Sequence, residues 1–138
     1  MYHNYIMAKK PCHTVLIAED ENNLQNILCT KFTEEGFTVI TAVDGQETLD
    51  LAIEHHPDII ILDLLMPKVD GRVVLRKLRS DMWGKSVPVI VYTNVSETEG
   101  VDEIFRNKAY DYMVKANHSL EDVVTRVRQR LAMRAGVV

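Results

Sequence analysis

Five short apolar runs punctuate the chain, and helically spaced stretches separate and follow them. The runs are Val15-Leu16-Ile17-Ala18, Phe37-Thr38-Val39-Ile40, Ile59-Ile60-Ile61-Leu62, Val87-Pro88-Val89-Ile90-Val91-Tyr92 and Tyr110-Asp111-Tyr112-Met113-Val114. This alternation limits the fold more than any other feature. The first four runs are nearly continuous and mostly β-branched, as strands buried on both faces are. The fifth mixes polar and aromatic residues and reads as an edge strand. Leu24, Ile27, Leu28 and Phe32 then mark a first helix by their spacing. Leu49, Ala52 and Ile53 mark a second, which Pro57 stops. Val74, Leu75 and Leu78 mark a third, and Val101, Ile104 and Phe105 a fourth. Leu120, Val123, Val124, Val127 and Leu131 mark a fifth. Ser119 and Asp122 suit its N-terminal cap and first turn. Gly36, Gly45 and Gly71 sit at junctions.

Strands alternating with helices imply an α/β fold. A parallel sheet carries helices on both faces, joined by right-handed crossovers. Composition agrees. The 138 residues are 46% hydrophobic and 26% charged, enough for one core and too apolar for disorder. Sixteen basic residues against twenty acidic ones argue against a general nucleic-acid binder. Cys12 and Cys29 make neither a disulfide framework nor a zinc site. No apolar run reaches the roughly 20 residues of a membrane span. The first eleven residues lack the apolar core of a secretory signal. These features predict a soluble, cytoplasmic domain. The expected boundaries are a leader over 1–12, one folded unit over 13–134 and a tail over 135–138.

In such sheets ligands bind beyond the carboxyl ends of the strands. Glu19, Asp20 and Glu21 follow the first strand, Asp63 the third, Thr93 and Asn94 the fourth, and Lys115 the fifth. Singly, most of these read as caps, turns or solvated surface. Jointly they place carboxylates, a hydroxyl and an ammonium at one edge. Clustered carboxylates repel unless a cation is present. Hard oxygen ligands suit Mg²⁺, and the neighbouring Lys and Thr suit a phosphoryl group. No GxxxxGK[ST] or GxGxxG loop is present, so transfer of a phosphoryl group onto an Asp nucleophile is the reading that remains.

These residues resemble the receiver domains of two-component response regulators, from about His13 to Leu131. VLIAEDE (15–21), AVDGQETL (42–49), DIIILDLLMPKVDG (58–71), PVIVYTN (88–94) and YDYMVK (110–115) carry the resemblance. The third piece is the most specific: an Asp ends a buried strand, Met-Pro stands three residues on, and Asp-Gly follows. The resemblance implies a flavodoxin-like, doubly wound fold with five helices and strand order 2-1-3-4-5. It implies Asp63 as phosphoacceptor, Glu19 and Asp20 as the acidic pair, and the Leu65 carbonyl as a further ligand of Mg²⁺, or alternatively Mn²⁺. It implies that Lys115 and Thr93 contact the phosphoryl group, with backbone N–H groups of Leu65 and Asn94 helping. Tyr112 matches the aromatic switch, whose ring moves inward as Thr93 is drawn to the phosphate. The affected surface would be the fourth helix, fifth strand and fifth helix. Implied partners are a sensor histidine kinase or a histidine phosphotransfer protein, then a protein effector, with a homodimer through that surface as an option. No direct nucleic-acid binding and no turnover enzyme are expected. If the chain is complete, the signal must arrive and leave by surface contact alone.

Other readings stay open. A pseudo-receiver is an interaction domain that is never phosphorylated, but the intact site residues speak against it. A phosphatase would need a second acid where Leu65 stands. His55 and His56 fit a surface helix end, and His3, His13 and His118 show no ligand spacing. The acids of the fourth helix and Arg126, Arg128, Arg130 and Arg134 of the fifth read first as solvated faces. Asp111 and Arg126 also roughly match a pair that bridges dimers in one subfamily. Trp83 fits a loop residue packed on the third helix. Two departures from the family stand out: Ala116 replaces the usual Pro after Lys115, and Asn94 replaces a small residue.

Leu65 and Val95, two residues beyond Asp63 and Thr93, cannot orient an attacking water. Self-dephosphorylation is therefore expected to be slow. Phosphate loss from the purified phosphoprotein measures it, and a half-life of seconds would refute it.

Overall fold

The computed structural model describes residues 12–96, 104 and 109–134. Strands β1 (Thr14–Ala18), β2 (Thr38–Ala42), β3 (Ile59–Leu62), β4 (Val89–Thr93) and β5 (Asp111–Val114) form one sheet. They pair in parallel, in the order β2-β1-β3-β4-β5. The helices are α1 (Asn22–Glu34), α2 (Gly45–His55), α3 (Gly71–Arg79) and α4 (Leu120–Arg134). The fifth helix of the sequence reading is α4 here. Of the fourth, only Ile104 is described, and it is helical and buried. Val101, Phe105 and the acids Glu97, Glu99, Asp102 and Glu103 lie outside the described residues.

Side-chain alternation along each strand divides the core in two. Leu16, Ile60, Leu62, Val89 and Val91 face one way, onto Ala52 of α2 and Val74, Leu75 and Leu78 of α3. Val15, Ile17, Ile59, Ile61 and Ile90 face the other, onto Leu28 and Phe32 of α1 and Val123, Val124 and Val127 of α4. Phe32 also meets Phe37 edge-on at 5.2 Å. Both faces of the sheet are thus covered, as the apolar runs require.

The structure corrects several expectations. β2 is not buried on both faces; it is the second edge strand, exposed at Thr38 and fully buried only at Ala42. An edge strand with Val and Ile looks like a central one in sequence, because topology decides how many neighbours it has. Ile27 and Ile53 belong to no core: they are 50% and 43% exposed at the margins of their helical stripes. The strand of the fourth run starts at Val89, past Pro88, which has no N–H to contribute but accepts the Ile60 N–H at 3.0 Å. Trp83 packs against the core and stacks on His56 at 4.4 Å. His56 itself ends α2 in the left-handed conformation, φ 47°.

The basic face of α4 is not simply solvated. Arg126 and Arg130 bond to Asp111 of β5 at 2.8 and 2.6 Å. Arg128 reaches Glu35 at 2.7 Å, and Arg134 donates to the Asp58 carbonyl at 2.8 Å. The Asp111–Arg126 match noted above is thus made within one chain.

Ser119 and Asp122 cap α4 as expected, and Asp44 and Asp70 cap α2 and α3, whereas α1 starts without a side-chain cap. Ser119 and Asp122 exchange bonds: the Ser119 N–H donates to Asp122 Oδ2 at 3.0 Å, and the Asp122 N–H to Ser119 Oγ at 3.1 Å. Asp44 accepts from the Glu47 N–H at 2.8 Å. These backbone donors hold the Asp44 and Asp122 carboxyls below the ordinary Asp value of 3.8. A depressed folded-state value gives stability above the unfolded value that is lost as pH falls through the folded one. Melting temperature should therefore drop on acidification below pH 3.8. Asp122→Asn keeps an acceptor but cannot titrate, and should make that decline shallower.

Candidate functional site

Register brings the site residues together. Ala18 and Leu62, the last residues of β1 and β3, are paired neighbours. The next residues, Glu19 and Asp63, therefore leave the sheet side by side. Their N–H groups extend the ladder, to Ala42 O at 3.0 Å and Ala18 O at 3.1 Å. Thr93 and Val114 close β4 and β5 in register, so Lys115 emerges one residue past Thr93. Lys115 opens a 3-10 turn, Lys115–Asn117, without the Pro common in the family. No cis peptide bond occurs among the described residues, and Lys115–Ala116 is trans.

Lys115 Nζ sits between two acids, 2.7 Å from Glu19 Oε1 and 2.8 Å from Asp63 Oδ2. The other Asp63 oxygen, Oδ1, accepts the Thr93 hydroxyl at 2.7 Å and the Leu65 N–H at 3.2 Å. Glu19 Oε2 accepts the Glu21 N–H at 3.0 Å. Each oxygen of the two buried carboxylates thus has a donor. Burial still pushes the Glu19 carboxyl above its ordinary value; Lys115 opposes that without overcoming it. Burial also works against the Lys115 ammonium, but Asp63 and Glu19 together raise its pKa above the ordinary value. Breaking a buried pair on one side costs about 3–5 kcal/mol, so the acids depend on this cation.

Asp20 differs from its neighbours in being exposed. Carboxylate oxygens of Glu19, Asp20 and Asp63 lie within 4.8 Å of one another. Three hard oxygen donors with one side open to water fit Mg²⁺, which keeps several waters of its own. The donor set holds no sulfur or imidazole, so softer metals fit it poorly.

The remaining sequence candidates fall around this centre. Tyr112 is buried, and its hydroxyl donates to the Val95 carbonyl at 2.8 Å and to Ser96 O at 3.4 Å. The ring thus lies inward while the Thr93 hydroxyl is on Asp63. Asn94 is exposed, Val95 is buried, and Leu65 is 53% exposed. Two contacts were not legible beforehand. Tyr92 places its ring 5.9 Å from Lys115 Nζ, close enough for a cation–π attraction. The Asp44–Gly45 corner touches the loop after Asp63, through Gly45 N–H to Pro67 O at 3.2 Å. Its signal was an Asp-Gly pair opening a helix, which a cap alone also explains.

Comparison with known proteins agrees with this geometry. Residues 15–128 match the family described as response regulator receiver domain. The response regulator ArlR of Staphylococcus aureus is 39% identical over 114 residues, 83% of this chain and 50% of that protein. The chain thus spans about half the length of that relative. The receiver domain of Francisella response regulator 1452 is 32% identical, with a TM-score of 0.80 over 89% of this chain and 98% of that one. A CheY-like receiver domain protein from Methanospirillum hungatei shares the fold at 17% identity, with a TM-score of 0.85 over 91% and 98% of the two chains. With its acidic edge, its Lys and its parallel order, the chain belongs to the response regulator receiver domains of two-component systems.

Proposed function

We propose that Asp63 accepts a phosphoryl group from the phosphohistidine of a sensor histidine kinase or a histidine phosphotransfer protein. One observation carries this reading: an ammonium and a hydroxyl meet opposite oxygens of one carboxylate, beside two further acids. In the transfer, an Asp63 oxygen bonds to phosphorus as the phosphorus–imidazole nitrogen bond breaks. The imidazole leaves with that electron pair on the donor protein. Asp20, Asp63, the Leu65 carbonyl and, through water, Glu19 would hold Mg²⁺ or Mn²⁺, which when bound would supply positive charge for the phosphoryl oxygens. Lys115 adds a second cation and Thr93 a hydrogen bond, while the N–H groups of Leu65 and Asn94 offer further donors.

The new charge then competes with Asp63 for Thr93 and Lys115. Their movement alters the packing of Tyr112, and with it the surface of the fourth helix, β5 and α4 that a protein effector reads. A homodimer on that surface must compete with the bonds that Arg126 and Arg130 already make to Asp111. The domain acts as a cytoplasmic switch and not as a turnover enzyme, since Leu65 stands where a phosphatase needs an acid. No helix among the described residues is long and apolar enough to cross a membrane.

Incubation with Mg²⁺ and acetyl phosphate should give one phosphoryl adduct on the wild type and none on Asp63→Asn, read by intact mass under neutral conditions. Absence of an Asp63-dependent adduct would leave the pseudo-receiver in its place. Multiple turnover of an aryl phosphate would instead indicate a phosphatase.

Mg²⁺ binding should also track Glu19. The metal needs the carboxylate, and burial raises that group's proton affinity, so protons compete with the metal more strongly as pH falls toward 4.5, the ordinary Glu value. The Mg²⁺-induced rise in melting temperature should shrink as pH falls toward that value. Glu19→Gln should show a smaller rise with a shallower pH dependence.

A further inference from the structure

The loop between β3 and α3 supplies backbone groups to the site; Leu64, Met66 and Val69 pack against the core, whereas Leu65 and Lys68 are exposed. Leu65 gives its N–H to Asp63 at 3.2 Å, but its side chain is 53% exposed. Lys68 is 70% exposed and holds φ at 67°. Side chains avoid that left-handed region, so the surroundings must impose it. The Val69 N–H donates to Pro67 O at 2.7 Å and closes a three-residue turn around Lys68. Turns of that kind with a positive central φ are rare and strained.

The start of α2 grips this turn. Gly45 donates its N–H to Pro67 O at 3.2 Å. Asp44 caps the helix with Oδ1 and faces Lys68 Nζ with Oδ2 at 3.4 Å. The approach is so close that a Cβ on Gly45 would lie 1.9 Å from Val69 O and 2.6 Å from Val69 Cβ. No side chain can stand there unless the loop moves. On the other side of Leu65, Gly71 donates to Leu64 O at 2.8 Å, and a Cβ on Gly71 would lie 2.3 Å from Asp63 O. Leu65 is thus held between two glycine contacts.

We propose that Asp44 and Gly45 are positioning residues for phosphoryl transfer: they seat the β3–α3 loop so that the Leu65 carbonyl and N–H stand ready at Asp63. The proposal rests on the reading that the Leu65 carbonyl is a Mg²⁺ ligand. Its consequence is that α2, which supplies no ligand, sets the affinity of the site. It also couples α2 to the metal reciprocally: whatever tightens the grip tightens Mg²⁺ binding, and Mg²⁺ tightens the grip.

The test uses the full chain and Mg²⁺ alone, followed by calorimetry and by the Leu65 amide resonance. Gly45→Ala should bind Mg²⁺ about tenfold more weakly, as when a group orienting a metal ligand is lost. Its Leu65 resonance should also shift before metal is added. Melting in EDTA separates this from unfolding. A folded Gly45→Ala with wild-type Mg²⁺ affinity overturns the proposal. If that variant does not fold, amide exchange in the wild type decides. Mg²⁺ should slow exchange at Gly45, and leave unchanged the Phe37 amide in the turn before β2. Unchanged exchange at Gly45 overturns the proposal. A wild type that binds no Mg²⁺ overturns the ligand reading on which it rests.

Discussion

One ammonium reconciles the carboxylates that the fold forces together. Parallel pairing of β1 with β3 in the Ala18–Leu62 register leaves Glu19 and Asp63 no choice but to emerge as neighbours. Side by side and buried, two such groups would resist ionising together. Lys115, 96 residues along the chain from Glu19, satisfies both. It can do so because β5 lies in register with β4 and delivers its last residue to the same end of the sheet. Sheet order and site chemistry are therefore linked: an order that parted β1 from β3 would part the acids.

The sheet also separates labour. α1 and α4 cover one face, α2 and α3 the other. The first pair is cross-linked at its surface by Lys31 with Glu121 and by Arg128 with Glu35. The second pair carries the loop contacts at Gly45 and Gly71.

Much of this was legible in the sequence. β3 spans Ile59–Leu62, the same residues as its apolar run, because a strand buried on both faces has no reason to include a polar residue. Glu19, Asp63, Thr93 and Lys115, which meet in the structure, were legible because each stands directly after such a run. Edge status was legible for β5, whose run mixes polar and aromatic residues, but not in the run of β2: Val39 and Ile40 look the same whether a strand has one neighbour or two. Ile27 and Ile53 sat at the margins of their stripes, where spacing cannot tell contact from exposure. The guanidinium bonds to Asp111 and the grip of Gly45 on Val69 join residues far apart in the chain. No local pattern encodes such contacts; the packing of whole elements does.

The Tyr112 hydroxyl donates to main-chain carbonyls, at Val95 and Ser96. A carbonyl is present whatever residue occupies the position. Substitution at Ser96 would not by itself remove that carbonyl, so the Tyr112 bond depends on the course of the main chain and not on the identity of the residue that supplies its acceptor.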